Sequence, residues 1–409
     1  MRLGGALRSW GALAFLLPAA ILLGALVAYP IVFTVVRSLY DRSGASFVGV
    51  DNYRSVFTNG RTLIALRNNV TWVVVAPSVV TALGLIFAVL SERVSWQTAF
   101  KVVVFLPMAI SFLAAGVIFR LVYEQDPHRG VANAVVTSVV DTFREPGRYP
   151  GARLRDGVTP SSSIPMVGLP PSSLPKDAKQ AVEPTAVTKG VAGVVWLDFR
   201  PGGGGTPGVI DPGERGLAGM KVEAVRAGKV VATATADSAG RFVLDQAGDV
   251  RLAASNFREP FRGVAWLGPT LVTPSVIGAY VWVWAGFAMV VIAAGLAAIP
   301  REVLEAARVD GASEWQVFRR VTVPLLAPVL AVVFVTLVIN VLKVFDLVLI
   351  IPPGSMQDDA NVLALEMWRV SFGGARDQGL GSALGVVLFL LVLPAMVFNL
   401  RRFRREDDR

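Results

Sequence analysis

Residues Ile299 to Leu330 read IPREVLEAARVDGASEWQVFRRVTVPLLAPVL, a charged passage set between two long apolar runs. On a helix, Val303, Leu304, Ala307 and Val309, with Trp315 and Phe318 further on, make a short amphipathic face. Asp310-Gly311 is a turn or helix-stop signal, so the expectation is two short helices joined by a glycine turn. Small side chains at Ala306 and Ala307 let another protein's surface approach closely, while Glu305, Arg308 and Asp310 offer charge for its rim.

Outward from this passage the chain reads as a membrane protein. Of 409 residues, 54% are hydrophobic and only 17% charged, and the mean hydropathy of +0.57 is too apolar for a soluble globular protein. There is no cysteine, hence no disulfide framework, thiolate metal site or cysteine nucleophile. The lone histidine, His128, removes zinc sites and histidine relays and leaves any metal chemistry to carboxylates. A net charge of +9 fits arginine-rich cytoplasmic loops better than nucleic-acid binding.

A bilayer core of about 30 Å needs roughly 20 apolar residues per helix. Six runs of that kind are expected to span: between Arg8 and Arg37, Arg67 and Glu92, Lys101 and Tyr123, Arg262 and Arg301, Arg320 and Ile351, and Asp377 and Arg401. The first is read as a retained helix and not a signal peptide, because its apolar part is about twice a usual signal core. With six spans, Arg2, Arg8, Arg93, Lys101, Arg301, Arg308, Arg319, Arg320 and the Arg401 to Arg405 cluster fall on one side, so both termini are expected in the cytoplasm.

The chain thus divides into an N-terminal membrane part (1–124), an extracytoplasmic segment and linker (125–189), an inserted domain (190–262) and a C-terminal membrane part (263–409). GVTPSSSIPMVGLPPSSLPKDAKQAVEP, Gly157 to Pro184, has the composition of an extended linker that buries too little apolar surface to fold. VAGVVWLD, MKVEAVRAG, KVVATATAD and GRFVLD then read as strands separated by Gly, Pro and Asp turns, a small antiparallel β-sandwich.

Glu305-Ala306-Ala307, Gly311, then nine residues and Val321, Val323 and Pro324 resemble the EAA loop of bacterial ATP-binding-cassette importer permeases, with Val321 and Val323 in place of the usual Ile and Leu. IPREVLEAARVDGAS resembles the sugar-importer branch, of the maltose and alpha-glucoside type, as do FLPMAISF (Phe105 to Phe112), KVFDLVLI (Lys343 to Ile350) and FGGARDQGLGSALGVVLFL (Phe372 to Leu390). The resemblance implies an α-helical type I importer permease with six spans. It implies that residues 300–324 are a coupling element seated in a cleft of a cytoplasmic ATPase, Glu305 facing basic residues there and Gly311 setting the turn. Such a stiff, docked element is what a moving ATPase needs to shift membrane helices. The implied partners are a second homologous permease, a dimer of ATP-binding subunits carrying ATP and Mg, and an extracellular solute-binding protein. The chain itself has no phosphate-cradling G-x-x-x-x-G-K-[ST] loop, and so is read as a transport subunit without cofactor or catalysis of its own.

Polar residues inside apolar spans are costly and tend to line cavities or pair with one another. Asn340, Lys343 and Asp346 recur at three-residue steps in the expected fifth span and so share a face; Lys343 and Asp346 could simply pair. The resemblance to the maltose permease points to Asn340 with Val341 and Val344 as a sugar-contacting stretch. Tyr280, Trp282 and Trp284 could stack on sugar rings, though an interfacial aromatic belt is the plainer account of the tryptophans.

The run from Gly193 to Asp245 resembles the B-type repeats of Gram-positive collagen adhesins, which often bind calcium. Asp198, Asp211 and Glu214 stand where such ligands would stand, but Phe199, Arg200 and the glycine run replace several usual acids, and turn chemistry is the better account. Two other classes compete. An ion-coupled secondary transporter should show more intramembrane acids than Asp346 and repeated spans, and a membrane-anchored adhesin or receptor needs one anchor helix, not six.

Overall fold

The computed structural model describes residues 15–143, 146–185, 187–200, 202–374 and 376–407. They form two compact units. One is helical and comprises the chain up to Gln125, Arg129–Val131, and everything from Ala265 onward. The other holds Asp126–His128 and Ala132–Val264 and carries the strands. Arg2 and Arg8, on which part of the orientation argument rests, lie outside the described residues.

Among the described residues of the helical unit, four helices are long and apolar enough to cross a membrane: α1 (Phe15–Arg37), α3 (Gly60–Arg93), α7 (Val272–Ala297) and a continuous Glu314–Leu342 helix. Between α1 and α3 lies the short α2 (Asp51–Thr58). The expected third span is broken. α4 (Gln97–Phe105) leads through a 3-10 turn at Leu106–Ala109 into α5 (Phe112–Val122), and the two segments are bent by 100°. Pro107 cannot donate to a helical ladder, Ile110 and Ser111 are extended, and Ser111 Oγ restarts the helix by accepting the Ala114 N–H. Counted as one span, this pair makes five. The expected sixth span is the first part of α13 (Gln378–Asp407), whose described apolar stretch Gln378–Pro394 is shorter than a full crossing.

α7 is the hub of this unit. Its Val276, Tyr280, Val283, Met289 and Ile292 are buried together with Trp72, Val80 and Ala88 of α3 and Leu326, Val333, Leu337 and Val341 from the helix before Lys343. Close approach needs a missing side chain: a Cβ on Gly84 of α3 would stand 2.5 Å from Ala288 Cβ and 2.9 Å from its carbonyl carbon. α3 is started by Asn59, whose side chain accepts the Arg61 N–H, and its first half is tied down by Asn68, which donates to the carbonyls of Asp359 (2.7 Å) and Asn361 (2.9 Å). Asn69 adds an acceptor for the Leu363 N–H at the start of α12 (Leu363–Phe372).

The second unit starts with α6 (Val131–Phe143) and continues as two sheets. The larger runs β1 (Arg153–Leu154), β2 (Ser163–Val167), β3 (Val191–Leu197) and β4 (Arg215–Gly216), with β7 (Arg241–Leu244) also paired to β3. The smaller orders β6 (Lys229–Thr235), β5 (Lys221–Arg226) and β8 (Asp249–Leu252). Ile164, Met166, Val195, Leu197, Phe242 and Leu244 from the first sheet share one core with Val222 and Ala224 from the second, as in a sandwich. Not all of it is antiparallel, because β2 runs parallel to β3. β2 comes from the stretch expected to be a linker: inside its Pro/Ser composition, Ile164 and Met166 alternate and are fully buried. The sandwich therefore draws on residues well before 190.

Candidate functional site

The charged loop folds as the local signals require. α8 (Arg301–Val309) follows Pro300, with Glu302 in its first turn and Arg308 in its last, the polarity that a helix dipole favours. Gly311 then takes φ +83, and the amides of Gly311 and Ala312 donate to the carbonyls of Arg308 (3.0 Å) and Ala307 (3.1 Å), a Schellman closure. The next helix, α9 (Glu314–Val317), opens with a reciprocal capping box. Ser313 Oγ accepts the Gln316 N–H, while Gln316 Oε1 accepts the Ser313 N–H at 2.8 Å. Phe318–Thr322 is π-helical and passes without a stop into α10 (Val323–Leu342), and Pro324, which cannot donate to the ladder, stands just after this widened turn.

Charge pins this hairpin. Glu314 takes the Arg308 Nε at 2.7 Å and faces Arg93, the last residue of α3, at 3.5 Å. Arg308 is thereby turned to the loop itself as well as to any partner. Glu305, Ala306, Asp310 and Gly311 are exposed and Ala307 is half-buried. Val309 is 87% and Trp315 66% exposed. Between the loop and the end of α3 runs a groove of about 560 Å³ lined by Ile86, Leu90, Leu304, Trp315 and Phe318 among others.

A second site lies in the interior of the helical unit. Helix α10 ends at Leu342. Lys343 to Phe345 leave the helical track, with Phe345 at φ −139 and ψ −60, and α11 (Asp346–Ile350) restarts it. Asn340, Lys343 and Asp346 therefore do not share a helix face as their three-residue spacing suggested. They meet because the chain breaks: all three, with Val344 and Trp284, line a cavity of about 250 Å³ closed by Phe112, Tyr280, Phe345 and Leu347. Val341 is different. It is fully buried in the helical core and has no place on the cavity wall. Lys343 and Asp346 make no ion pair with each other among the described residues. Asn340 Nδ2 donates back to Thr336 O at 2.9 Å.

The cavity wall carries unspent hydrogen-bonding capacity. Tyr280 Oη and Trp284 Nε1 are buried and have no hydrogen-bond partner among the described residues. Leaving such groups unpaired costs on the order of 1–3 kcal/mol each. Their rings are stacked at 5.8 Å, and Phe112 stacks on Trp284 at 6.5 Å. Phe112, Phe345 and Leu347 were not singled out from sequence as pathway residues, although they stand inside the FLPMAISF and KVFDLVLI motifs that carry the resemblance.

The candidate calcium set does not form a cation site. Among the described residues no three acidic or histidine side chains converge as metal ligands. Asp198 is paired with Arg155 and accepts the Gly208 N–H at 2.8 Å, Asp211 accepts the Thr206 N–H at 2.6 Å, and Glu214 accepts the Asp211 N–H at 3.1 Å. The three carboxylates thus brace the glycine-rich loop that separates β3 from β4. Burial, and then the charges of Asp198 and Asp211, push the Glu214 carboxyl above its usual range, although the Asp211 amide pulls the other way.

Residues 240–403 match the family of binding-protein-dependent transport system inner membrane components. Across 96% of this chain and 99% of its own length, the osmoprotective compounds uptake permease GgtC of Synechocystis sp. is 29% identical. The alpha-glucoside transport system permease AglF of Rhizobium meliloti is 28% identical over the whole chain and 85% of its own length. A putative ABC transporter permease of a Caldicellulosiruptor species is 31% identical over 34% of this chain and 99% of its own. Among solved structures, a bacterial ABC transporter involved in the import of the acidic polysaccharide alginate superposes with a TM-score of 0.59 at 18% identity, covering 98% of this chain and 99% of that one.

Proposed function

The chain belongs to the family of binding-protein-dependent transport system inner membrane components, the permeases of ABC transporters, and on that premise we propose that it carries a neutral oligosaccharide, of maltose or alpha-glucoside type, into the cell. As a member of that family it is a multi-pass membrane transport subunit and not an enzyme. The observation that carries the sugar reading is the aromatic cavity. Stacked Tyr280 and Trp284 offer flat apolar faces for pyranose rings, and their orphaned Oη and Nε1 call for a ligand rich in hydroxyls. The similarity to an alpha-glucoside permease over the whole chain supports the same class.

In this reading six spans cross the membrane, the broken α4–α5 pair and α13 included, with both termini cytoplasmic and the β-sandwich extracytoplasmic. A second permease completes the pathway and two ATP-binding subunits drive it, their ATP and Mg bound outside this chain. A solute-binding protein delivers the sugar, and the sandwich helps to seat it. The exposed faces of α8 and α9 dock on an ATPase, with Glu305 toward its basic residues and Ala306 and Ala307 at the close approach. Arg308 and Asp310 flank the turn that Gly311 allows. Pro324 stands near the cytoplasmic start of the apolar part of the Glu314–Leu342 helix, which carries the motion toward Asn340 and on to Lys343, Val344 and Asp346.

The test is purification of the chain from its native membrane, wild type beside Glu305→Arg. An ATPase and a second permease should accompany the wild type, and the ATPase should be lost or weakened in the variant. Purification of the wild type without any ATPase would sink the coupling assignment.

A further inference from the structure

A pocket of about 460 Å³, larger than the inner cavity, opens at the end of α5 and is lined by Arg120, Tyr123, Glu124, Trp266, Ser355 and Met356 among others. Its aromatic wall is built, not incidental. Tyr123 Oη donates to Ser275 O at 3.1 Å, and Ser275 Oγ donates to Trp266 O at 2.9 Å, so one buried serine positions both residues. The two rings stand 6.0 Å apart at an interplanar angle of 36°. Gly278 keeps room for the arrangement, since a Cβ there would lie 3.0 Å from Tyr123 Oη.

The pocket and the inner cavity share no lining residue, but the same elements lead from one to the other. α11 has its first residues, Asp346 and Leu347, on the inner cavity, and the chain leaving it, Pro353 to Met356, on this pocket. Along α7, Ser275 and Trp284 are nine residues apart, about 13 Å at 1.5 Å per residue, a distance for linked rings and not for one. The inner volume of about 250 Å³ falls below the range of about 300–1,000 Å³ usual for small-molecule sites, whereas the second pocket falls within it. Each holds one cation and one carboxylate: Arg120 with Glu124, and Lys343 with Asp346. Balanced charge suits a neutral polyhydroxyl ligand and disfavours a uronic acid polymer.

We propose that this pocket is a second sugar station, which takes one ring of a neutral oligosaccharide against Trp266 and Tyr123, with Arg120 donating to its hydroxyls, before the chain enters the inner cavity. The assignment rests on the carbohydrate-importer reading. It is tested in vesicles holding the complete importer with its binding protein, using trehalose, maltose, maltotriose and an anionic trigalacturonate as probes. For the best-transported neutral probe, Trp266→Ala and Arg120→Gln should raise KM about tenfold with kcat within twofold, and Trp266→Phe should recover most of the loss. Neutral uptake with KM unchanged in both variants overturns the station and leaves the importer reading intact. Preference for trigalacturonate overturns it too. So does an equal loss of affinity for the sugar-free binding protein in Trp266→Ala, which would make the pocket a protein contact. No uptake of any neutral probe by the wild type removes the carbohydrate reading and the station with it.

Discussion

Gly311→Ala tests the coupling hairpin with a single methyl group. A Cβ at Gly311 would meet nothing within 4 Å, so the substitution clashes with no neighbour and acts through φ +83 alone. Holding a non-glycine L-residue in the left-handed region costs about 1–2 kcal/mol. Because the turn is exposed and packs on nothing, the variant relaxes out of its Schellman geometry, and the form able to dock is then disfavoured by about 5- to 30-fold. Asn tolerates this region far better, so Gly311→Asn should lose much less. The assay is sugar-stimulated ATP hydrolysis by the reconstituted importer, titrated with the ATPase subunit to obtain its apparent Kd. Gly311→Ala should weaken that Kd several-fold while yield and thermal stability in detergent stay at wild type, because Gly311 is exposed and packs on nothing. Equal affinities for wild type, Ala and Asn would refute the reasoning, as would Asn behaving worse than Ala.

Four further outcomes follow from packing and charge. Gly84→Leu should destabilise the helical unit by about 1–3 kcal/mol, since its first added carbon already collides with Ala288; thermal unfolding in detergent reads this, and an unchanged midpoint would contradict the close approach. Asn68→Ala strands the carbonyls of Asp359 and Asn361, each bonded at under 3 Å in the wild type, and should cost about 1–3 kcal/mol, seen as faster amide exchange across residues 357–366. In the sandwich, Glu214 has a folded pKa raised chiefly by burial, so the folded state holds its proton longer and stability falls as pH climbs through the carboxylate range. Glu214→Gln should remove that decline. Asp237 is the reverse: burial pushes it up, but the Arg241 and Ala239 amides and the Arg241 guanidinium together hold it below its usual value. Its contribution is present above the ordinary carboxylate pKa and is lost on acidification, and Asp237→Asn should abolish that acid sensitivity in exchange experiments on the full chain.

What the sequence discloses depends on how local the cause is. The hairpin at 301–317 was legible because every determinant sits within a few residues: Gly311 for the positive φ, Ser313 and Gln316 for the cap. The break at Lys343 was not. Its flanks are as apolar as an unbroken span, and only the packing of Val344, Phe345 and Leu347 around a cavity distinguishes them. Pro107 alone does not account for the break: the 100° turn also needs the extended Ile110 and Ser111. β2 was hidden for a different reason. Its Pro/Ser surroundings dominate any composition window, and the parallel partner that buries Ile164 and Met166 lies about 30 residues further along the chain.

The π-helical turn at Phe318–Thr322 leaves its mark on how residue numbers relate to direction. One residue more than the α repeat is absorbed there, so the angular phase of everything beyond it lags a straight count by about 100°. A helical wheel drawn through 314–342 would therefore assign Trp315 and Asn340 a relative bearing they do not have. By the same arithmetic, a shortened junction lacking Arg319 or Arg320 is the one-residue deletion that restores an ordinary α turn while keeping both flanking segments in their present azimuth. A deletion a few positions later would instead swing the hairpin around the helix axis by more than a quarter of a turn.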